Sequence, residues 1–347
     1  MNFKLSRSVI TSSVGFLMFV ASFGQAARAE TLLLNGAGAT FPYPLYSKWF
    51  SEFKKVESKA EINYQSIGSG GGIRQVMDHT VDFGASDAPM TDAQLAKAKP
   101  ALLHFPMVMG AVVLTYNLPG LKTDLKLTPE IVSGIFMGKI TEWKDAALVA
   151  ANPGVKFPDE PILVAHRSDG SGTTAIFSDW LAKVSPEWKT KVGAGPALKW
   201  PTGLGGKGNE GVTGLIKQSP GSIGYVELIY AKSNHLPVAA VKNRAGEFVV
   251  PTAASVTAAA TVSLKSIPED FRASITDAEG KGAYPISGFT YLLIPVSMPK
   301  AKQKVMSQFL QWALQNGQTL AEPLGYAPLP KTLVQKALAR VALVKAE

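Results

Sequence analysis

Residues 166–174 read His166-Arg167-Ser168-Asp169-Gly170-Ser171-Gly172-Thr173-Thr174 and separate two apolar segments. The residues before this polar stretch, 161–165, form a short apolar run that is typical of a buried strand. The residues after it, 175–184, carry apolar side chains at helical spacing. The stretch therefore predicts a strand-to-helix turn, in which Ser171 or Gly172 begins the helix.

Such a helix start suits a small bound anion. Its first N–H groups have no partner within the helix and carry the positive end of the helix dipole. Two glycines let the backbone approach a ligand closely, hydroxyl side chains add donors, and Arg167 offers a planar fork of donors. The stretch is not a Walker loop, because no Gly-Lys-Ser/Thr follows the required spacer. On this stretch alone, an ordinary connecting turn remains an alternative.

Two earlier glycine-rich turns also lead from a strand pattern into a helix pattern. The first follows a strand predicted at 31–34, and Thr40 is predicted either to cap the helix after it or to face a ligand. The second follows a strand predicted at 61–65, with Ser69 as the predicted N-cap. Because glycine is unfavourable in a helix, the run at 70–72 indicates close approach of the backbone to a ligand.

Asp87 lies in a third turn of this kind, after a strand pattern near 81–85. A carboxylate is unexpected beside an anion. Asp87 is therefore either a turn residue that caps the helix near residue 91, or an acceptor for a ligand that still carries a proton.

The rest of the chain continues the alternation of strands and helices, which predicts an α/β architecture. A helix is predicted from 129 to about 138, and a loop at 203–214 leads into another helix. The Ala-rich segment 253–261 is either helix or loop. A strand is predicted at 291–294, and two helices, at about 299–316 and 330–343, end the chain.

The first 29 residues have the features of a secretory signal peptide. Lys4 and Arg7 precede an apolar core at about 14–23, and small residues surround Ala29. The apolar core is too short for a membrane-spanning helix of about 20 residues. Cleavage after about Ala29 leaves 318 of the 347 residues and, by removing three cations and no acids, lowers the formal net charge from +9 to +6.

Composition excludes several kinds of site. The chain has no cysteine, which excludes disulfides and thiol chemistry, and its four histidines, at 79, 104, 166 and 235, are too scattered for a metal site. The sequence pI is 9.4, but no Lys/Arg block with interleaved aromatics indicates nucleic-acid binding. We therefore expect no metal, no cofactor and no nucleic-acid partner.

Taken together, the turns resemble those of a known family. The sequence contains, in order, Gly-Ala-Gly-Ala-Thr-Phe-Pro at 36–42, Ile-Gly-Ser-Gly-Gly-Gly at 67–72, Asp-Phe-Gly-Ala-Ser-Asp-Ala-Pro at 82–89 and Arg-Ser-Asp-Gly-Ser-Gly-Thr at 167–173. With further motifs at 199–209 and 220–227, the chain resembles the periplasmic phosphate-binding proteins of ABC-type high-affinity phosphate importers. The resemblance extends over essentially the whole mature chain.

The resemblance implies a set of phosphate contacts. They are Ala39, Thr40, Phe41, Ser69, Asp87, Arg167, Ser171, Gly172 and Thr173, with Asp169 as the carboxylate that supports Arg167. In that set Asp87 is the acceptor and Arg167 the cation. The sequence departs from the family pattern at Gly70, where serine is usual, and at His166, which could change the charge near Arg167.

The resemblance also implies a two-lobe periplasmic binding protein of type II-like fold, with the ligand in the interlobe cleft. We expect lobe I at 30–115 and 288–347 and lobe II at 116–287, with chain crossings near Tyr116 and Phe289. The implied protein is not an enzyme. It is a periplasmic monomer that captures inorganic phosphate and delivers it to a membrane permease, formed by two transmembrane subunits with a cytoplasmic ATPase.

Two alternatives remain at this point. A hydrolase could use Ser171 or Thr40 as nucleophile, with His166 as the nearby candidate base, although no Gly-x-Ser-x-Gly elbow surrounds either residue. A binding protein could instead take sulfate or molybdate.

Overall fold

A computed structural model describes residues 31–121 and 123–347 as alternating strands and helices; the predicted signal peptide lies outside these residues. The strands are β1 Leu32–Gly38, β2 Ala60–Ser66, β3 Phe83–Ser86, β4 Leu102–Asn117, β5 Lys126–Leu127, β6 Leu163–Arg167, β7 Leu204–Gly206, β8 Ser222–Glu227, β9 Ala240–Lys242, β10 Phe248–Val249, β11 Ser287–Pro295, β12 Ser297–Met298 and β13 Lys345–Ala346. The helices are α1 Tyr43–Val56, α2 Ser69–Met77, α3 Asp92–Leu95, α4 Pro129–Phe136, α5 Ala146–Ala151, α6 Gly172–Val184, α7 Pro186–Lys191, α8 Gly208–Gln218, α9 Leu228–Ser233, α10 Ala253–Ser263, α11 Lys300–Gln315 and α12 Lys331–Val341. Short 3₁₀ turns occupy Leu264–Ser266, Gly317–Leu320 and Glu322–Leu324.

One sheet organises the molecule, with strand order β2-β1-β3-β11-β4-β8-β6-β7. Strand β1 pairs in parallel with β2 and β3, and β6 pairs in parallel with β7 and β8. Between these parallel groups, β11 is antiparallel to both β3 and β4, and β4 is antiparallel to β8. Smaller sheets contain β10-β9-β5 and β12-β13.

Strand β4 contributes to both parts of this sheet. Its residues 102–111 pair with β11, whereas residues 112–117 pair with β8. We call β2, β1, β3, β11 and residues 102–111 of β4 the first half-sheet, and residues 112–117 of β4 with β8, β6 and β7 the second half-sheet. The partner of β4 changes between Ala111 and Val112. The lobe boundaries expected from the sequence stay a prediction.

Helices pack aromatic side chains on each half-sheet. On the first, Phe50 of α1 lies 5.3 Å, between ring centroids, from Phe309 of α11. On the second, Phe177 of α6 stacks on Tyr225 of β8 at 4.4 Å. Aromatic side chains thus pack on both half-sheets, and they belong to one continuous hydrophobic core. Among the described residues, no helix is both long enough and apolar enough to cross a membrane.

Most elements lie where the sequence predicts them, with shifted ends. Helix α6 begins at Gly172 with Ser171 as N-cap, whose Oγ accepts from Thr174 N at 3.0 Å, so that prediction is confirmed. Segment 253–261 is helical, as part of α10. Helix α8 begins at Gly208, inside the segment predicted as a loop.

The N-cap predicted at Ser69 is wrong, and of the two alternatives for Thr40 and for Asp87 the capping one is wrong. Pro42, not Thr40, precedes α1, and Gly68, not Ser69, precedes α2 with φ 90°, a conformation that favours glycine. Thr91 caps α3, which leaves Asp87 without a capping role there. In each case the predicted residue makes tertiary contacts instead.

Candidate anion-binding site

The four predicted turns lie together between the two half-sheets. Gly172 N donates to Ser69 Oγ at 3.0 Å, and Gly70 N donates to Gly170 O at 2.8 Å. Ser69 Oγ also lies 3.4 Å from Asp87 Oδ2. The turns that follow β2 and β3 thus contact the turn that follows β6.

Tyrosine hydroxyls orient the turn at 39–41. Tyr64 donates to Ala39 O at 2.8 Å, and Tyr230 donates to Thr40 O at 2.6 Å. In a trans peptide the C=O and N–H point in opposite directions. The two hydroxyls therefore direct the N–H groups of Thr40 and Phe41 away from the tyrosines. Neither amide donates a hydrogen bond within residues 31–121 and 123–347, so both are free to bind a ligand.

A third tyrosine completes this arrangement. Tyr326 donates to Phe41 O at 2.6 Å, and the next residue, Pro42, has no N–H. Ala39 N is already paired with Ala85 O at 3.0 Å. Of the three residues predicted here, Thr40 and Phe41 offer backbone N–H donors. The N–H and the C=O of Ala39 are both already hydrogen-bonded within the protein.

Arg167 and Asp169 form a buried two-point ion pair. Arg167 Nε donates to Asp169 Oδ1 at 2.8 Å and Nη2 donates to Oδ2 at 2.6 Å. Burial opposes ionisation of Asp169, but the hydrogen bonds and charge of Arg167, with a further bond from Gly208 N, hold its pKa below the usual value. Arg167 is only 3% exposed, and its Nη1 reaches Thr173 Oγ1 at 3.3 Å. The guanidinium is thereby fixed by one edge, and the other edge is directed toward Thr173.

Asp87 is the acid of the site. It is 3% exposed, and burial raises its pKa to about 7, against the opposing effects of the Thr290 hydroxyl, the Arg167 charge and Ser69. A Cβ on Gly172 would lie 2.5 Å from Asp87 Oδ2, so only glycine fits there. A carboxyl with this pKa can accept or donate a hydrogen bond near neutral pH.

Ser69 hydrogen-bonds to Gly172 and Asp87, two residues that the resemblance assigned to phosphate binding. Its Oγ accepts from Gly172 N at 3.0 Å and from Asp87 N at 3.2 Å, and it donates toward Asp87 Oδ2 at 3.4 Å. Ser171, by contrast, accepts only from Thr174 N, which leaves its hydroxyl hydrogen free to donate. The structure thus brings all the predicted residues together, but it pairs Ser69 with Gly172.

His166 does not contact the hydroxyl of Ser171 or Thr40, so its position does not suit a base for either residue. Its Nδ1 lies 3.0 Å from Arg167 O, and its ring stacks on Trp200 at 4.7 Å between centroids. Burial lowers the pKa of His166, which favours the neutral ring. Within the described part of the chain, no group of three or more His, Asp or Glu side chains could hold a metal ion.

Sequence reasoning missed the residues that support the site. Asn209 donates from Nδ2 to Thr40 Oγ1 at 2.6 Å, yet in the sequence it belongs to a glycine-rich loop with no local sign of such a contact. Tyr64, Tyr230 and Tyr326 are far apart in the chain, so no spacing pattern connects them. The only signal was that 199–209 and 220–227 shared motifs with the family.

Comparison with known proteins gives consistent matches. Residues 22–316 match the family model described as a PBP superfamily domain. The chain is 47% identical over 313 residues to the phosphate-binding protein PstS of Xylella fastidiosa (strain Temecula1 / ATCC 700964), which covers 90% of this chain and 85% of that protein.

Solved structures share the fold at lower identity. A high-affinity periplasmic phosphate-binding protein, PfluDING, solved with phosphate at pH 8.5, matches with a TM-score of 0.70 and 23% identity over 89% of this chain and 93% of its own. A candidate phosphate ABC transporter substrate-binding protein from Clostridium perfringens, solved with bound phosphate, matches with a TM-score of 0.61 and 18% identity over 86% of this chain and 100% of its own. The predicted two-lobe α/β fold is therefore confirmed.

Proposed function

The chain belongs to the PBP superfamily and, within it, to the PstS phosphate-binding proteins, and from this membership we propose that it captures inorganic phosphate and delivers it to an ABC importer. The partner is a membrane permease of two transmembrane subunits with a cytoplasmic ATPase. The protein acts as a periplasmic monomer after cleavage near Ala29, binds without chemistry, and needs no cofactor.

One observation carries the proposal: hydrogen bonds from the protein itself hold the donors of the site in place. The tyrosine hydroxyls direct the amides of Thr40 and Phe41, and Asp169 fixes the guanidinium of Arg167. A tetrahedral oxyanion that still carries one proton can use such a set of donors, and Asp87, whose carboxyl is not engaged by Arg167, can accept a hydrogen bond from that proton. Hydrogen bonds to charged groups contribute about 1.5–3 kcal/mol each, so several suffice for micromolar affinity or better.

The proposed site uses both lobes. With the lobe boundaries expected from the sequence, Thr40, Ser69 and Asp87 fall in lobe I, whereas Arg167 and the start of α6 fall in lobe II. An anion that contacts both lobes stabilises the closed form, which is the form presented to the permease.

Calorimetry with phosphate, sulfate and arsenate tests the binding function. We expect one phosphate per chain at micromolar affinity or tighter. Arg167→Gln should weaken binding at least about a hundredfold, because it removes the buried cation. Arg244→Gln, which removes an exposed arginine paired with Glu279, should change affinity less than about twofold. Absence of binding heat with the wild-type protein, at several temperatures, would overturn the proposal.

The same samples test the hydrolase alternative. Neither Ser171 nor Thr40 contacts His166 in the described structure, so a chromogenic phosphate ester should remain intact. Steady product release that disappears in Ser171→Ala or Thr40→Val would replace a transport function with an enzymatic one.

A further inference from the structure

Asn209 lies directly behind the proposed phosphate site, at the start of α8. The residue is completely buried. Its Nδ2 donates to Thr40 Oγ1 at 2.6 Å and to Thr173 Oγ1 at 3.2 Å, and its backbone N donates to Thr40 Oγ1 at 3.2 Å. A single side chain thus contacts a threonine from each of the two predicted lobes.

The orientation of the Asn209 amide follows from a fourth contact. Its Oδ1 accepts a hydrogen bond from Glu227 N at 2.9 Å. Because a backbone N–H can only donate, the oxygen must face Glu227 and the NH₂ group must face the threonines.

These contacts fix the direction of two hydroxyl groups. A threonine hydroxyl has one hydrogen to donate and two lone pairs that accept. Both lone pairs of Thr40 are used by Asn209, through its N and Nδ2. Both lone pairs of Thr173 are also used, by Arg167 Nη1 at 3.3 Å and by Asn209 Nδ2. Each hydroxyl hydrogen must therefore point away from Asn209.

We infer that Asn209 is a positioning residue that holds Thr40 and Thr173 as hydrogen-bond donors to the anion. This inference rests on the proposed function. Without Asn209 either hydroxyl could turn its hydrogen toward the protein and present a lone pair to the ligand, which repels an oxyanion. Donors fixed in advance require no reorganisation when the ligand binds, and this fixed orientation raises affinity.

A double-mutant cycle separates this role from a general loss of structure. One arm is Asn209→Ala, and the other is the pair Thr40→Val and Thr173→Val, which keeps the side-chain shape but removes both hydroxyls. Phosphate affinity of the four proteins is measured by calorimetry. We expect Asn209→Ala to weaken binding about 10- to 100-fold in the wild-type background and less than about threefold in the valine background, because residues in one hydrogen-bond network are not additive.

Asn243→Ala is the matched control. Asn243 is also buried, at 6% exposure, and bonds to Glu247 N and Ala283 O, which have no part in the proposed site. Its loss should lower the melting temperature but change phosphate affinity less than about twofold. If Asn209→Ala does not fold, Asn209→Ser replaces it, since serine is too short to reach both threonines.

The outcomes distinguish the two proposals. If wild-type protein binds phosphate and the Asn209 and threonine effects simply add, or if Asn243→Ala weakens binding as much as Asn209→Ala, the positioning role is wrong and the transport proposal stands. If wild-type protein does not bind phosphate at all, both proposals fall.

Discussion

At the scale of single residues, we propose that Asp87 determines which anion binds. Phosphate keeps at least one proton near neutral pH, whereas sulfate has none. Above pH 7 the Asp87 carboxyl is mostly ionised. It can then only accept a hydrogen bond, so it matches the P–OH group of phosphate and repels sulfate. Sites built around such a specific hydrogen bond can discriminate by about 10⁴–10⁵ against a ligand that cannot complete it.

Asp87→Asn should therefore reduce discrimination. The amide can donate as well as accept, and it carries no charge. We expect measurable phosphate binding with a phosphate-to-sulfate affinity ratio at least about tenfold smaller than in the wild type, or about 1.4 kcal/mol. Competition titrations of both proteins at one pH and ionic strength measure this ratio. An unchanged ratio would mean that Asp87 takes no part in selectivity.

The raised pKa of Asp87 also predicts how stability depends on pH. The folded-state pKa is about 7, compared with 3.8 ordinarily. Between these values the folded protein binds the proton more tightly than the unfolded chain, so this carboxyl makes the free energy of unfolding fall as pH rises from about 4 to 7. Removing the carboxyl should therefore stabilise the ligand-free protein, little at pH 4.5 and by on the order of a few kcal/mol at pH 8.

Denaturant unfolding of wild type and Asp87→Asn at pH 4.5 and pH 8, without phosphate, measures the difference. An equal change in stability at both pH values would contradict it, because a hydrogen-bond or packing effect does not depend on the titration of this group.

The sequence indicated the residues that donate hydrogen bonds in the site better than the residues that hold those donors in place. The start of α6 was predictable because Ser171 and the glycines beside it form a local pattern. Ser69 was predicted as a cap, and Thr40 was considered one, because they precede helices. Tertiary partners, Gly172 and Asn209, determine their contacts instead. Such partners are distant in the chain and leave no local trace.

At the scale of elements, the glycines of α2 are required by packing. The sequence suggested that 70–72 approach a ligand. In the structure, a Cβ on Gly72 would lie 2.5 Å from Gly38 Cα and 2.6 Å from Ala85 O. Gly72 therefore lets α2 lie directly against β1 and β3, which brings Ser69 to the site.

Gly72→Ala should strongly destabilise the protein, by about 3 kcal/mol or more, since backbone atoms on both neighbouring strands would have to move. Gly214→Ala is the matched control: Gly214 lies in α8, and a Cβ there would meet nothing within 4 Å. That change should stabilise by about 0.5–1 kcal/mol. Thermal and denaturant unfolding measure both, and equal effects would show that close packing is not the reason for glycine at 72.

Strand β4 is the longest of the elements that the sequence did not predict. All but the last of its sixteen residues are buried, so its apolar run has no alternation to distinguish strand from buried helix. Its neighbours on both sides are set by tertiary pairing with β11 and β8. The resemblance placed a chain crossing near Tyr116, and β4 contains that residue.

At the scale of the whole molecule, the proposed ligand contacts come from both predicted lobes. Phosphate should therefore shift the population toward a closed form. We expect X-ray scattering to report a smaller radius of gyration with saturating phosphate than without it. Arg167→Gln at the same phosphate concentration should show no change. If the radius of the wild type stays constant while calorimetry confirms binding, the ligand does not bridge the lobes.

The continuous path of β4 through both half-sheets has a consequence for amide hydrogen exchange. Because residues 102–111 and 112–117 of β4 bond to different neighbours along one unbroken strand, we expect both ladders to stay paired when the lobes move. The β4 amides should then exchange with deuterium only when the entire chain unfolds, at a rate that phosphate slows only through global stability. The amides of Thr40 and Phe41, by contrast, should exchange quickly in the free protein and gain protection directly on binding. Peptides from β4 would thus report global unfolding, and peptides that contain Thr40 and Phe41 would report ligand binding, in the same experiment.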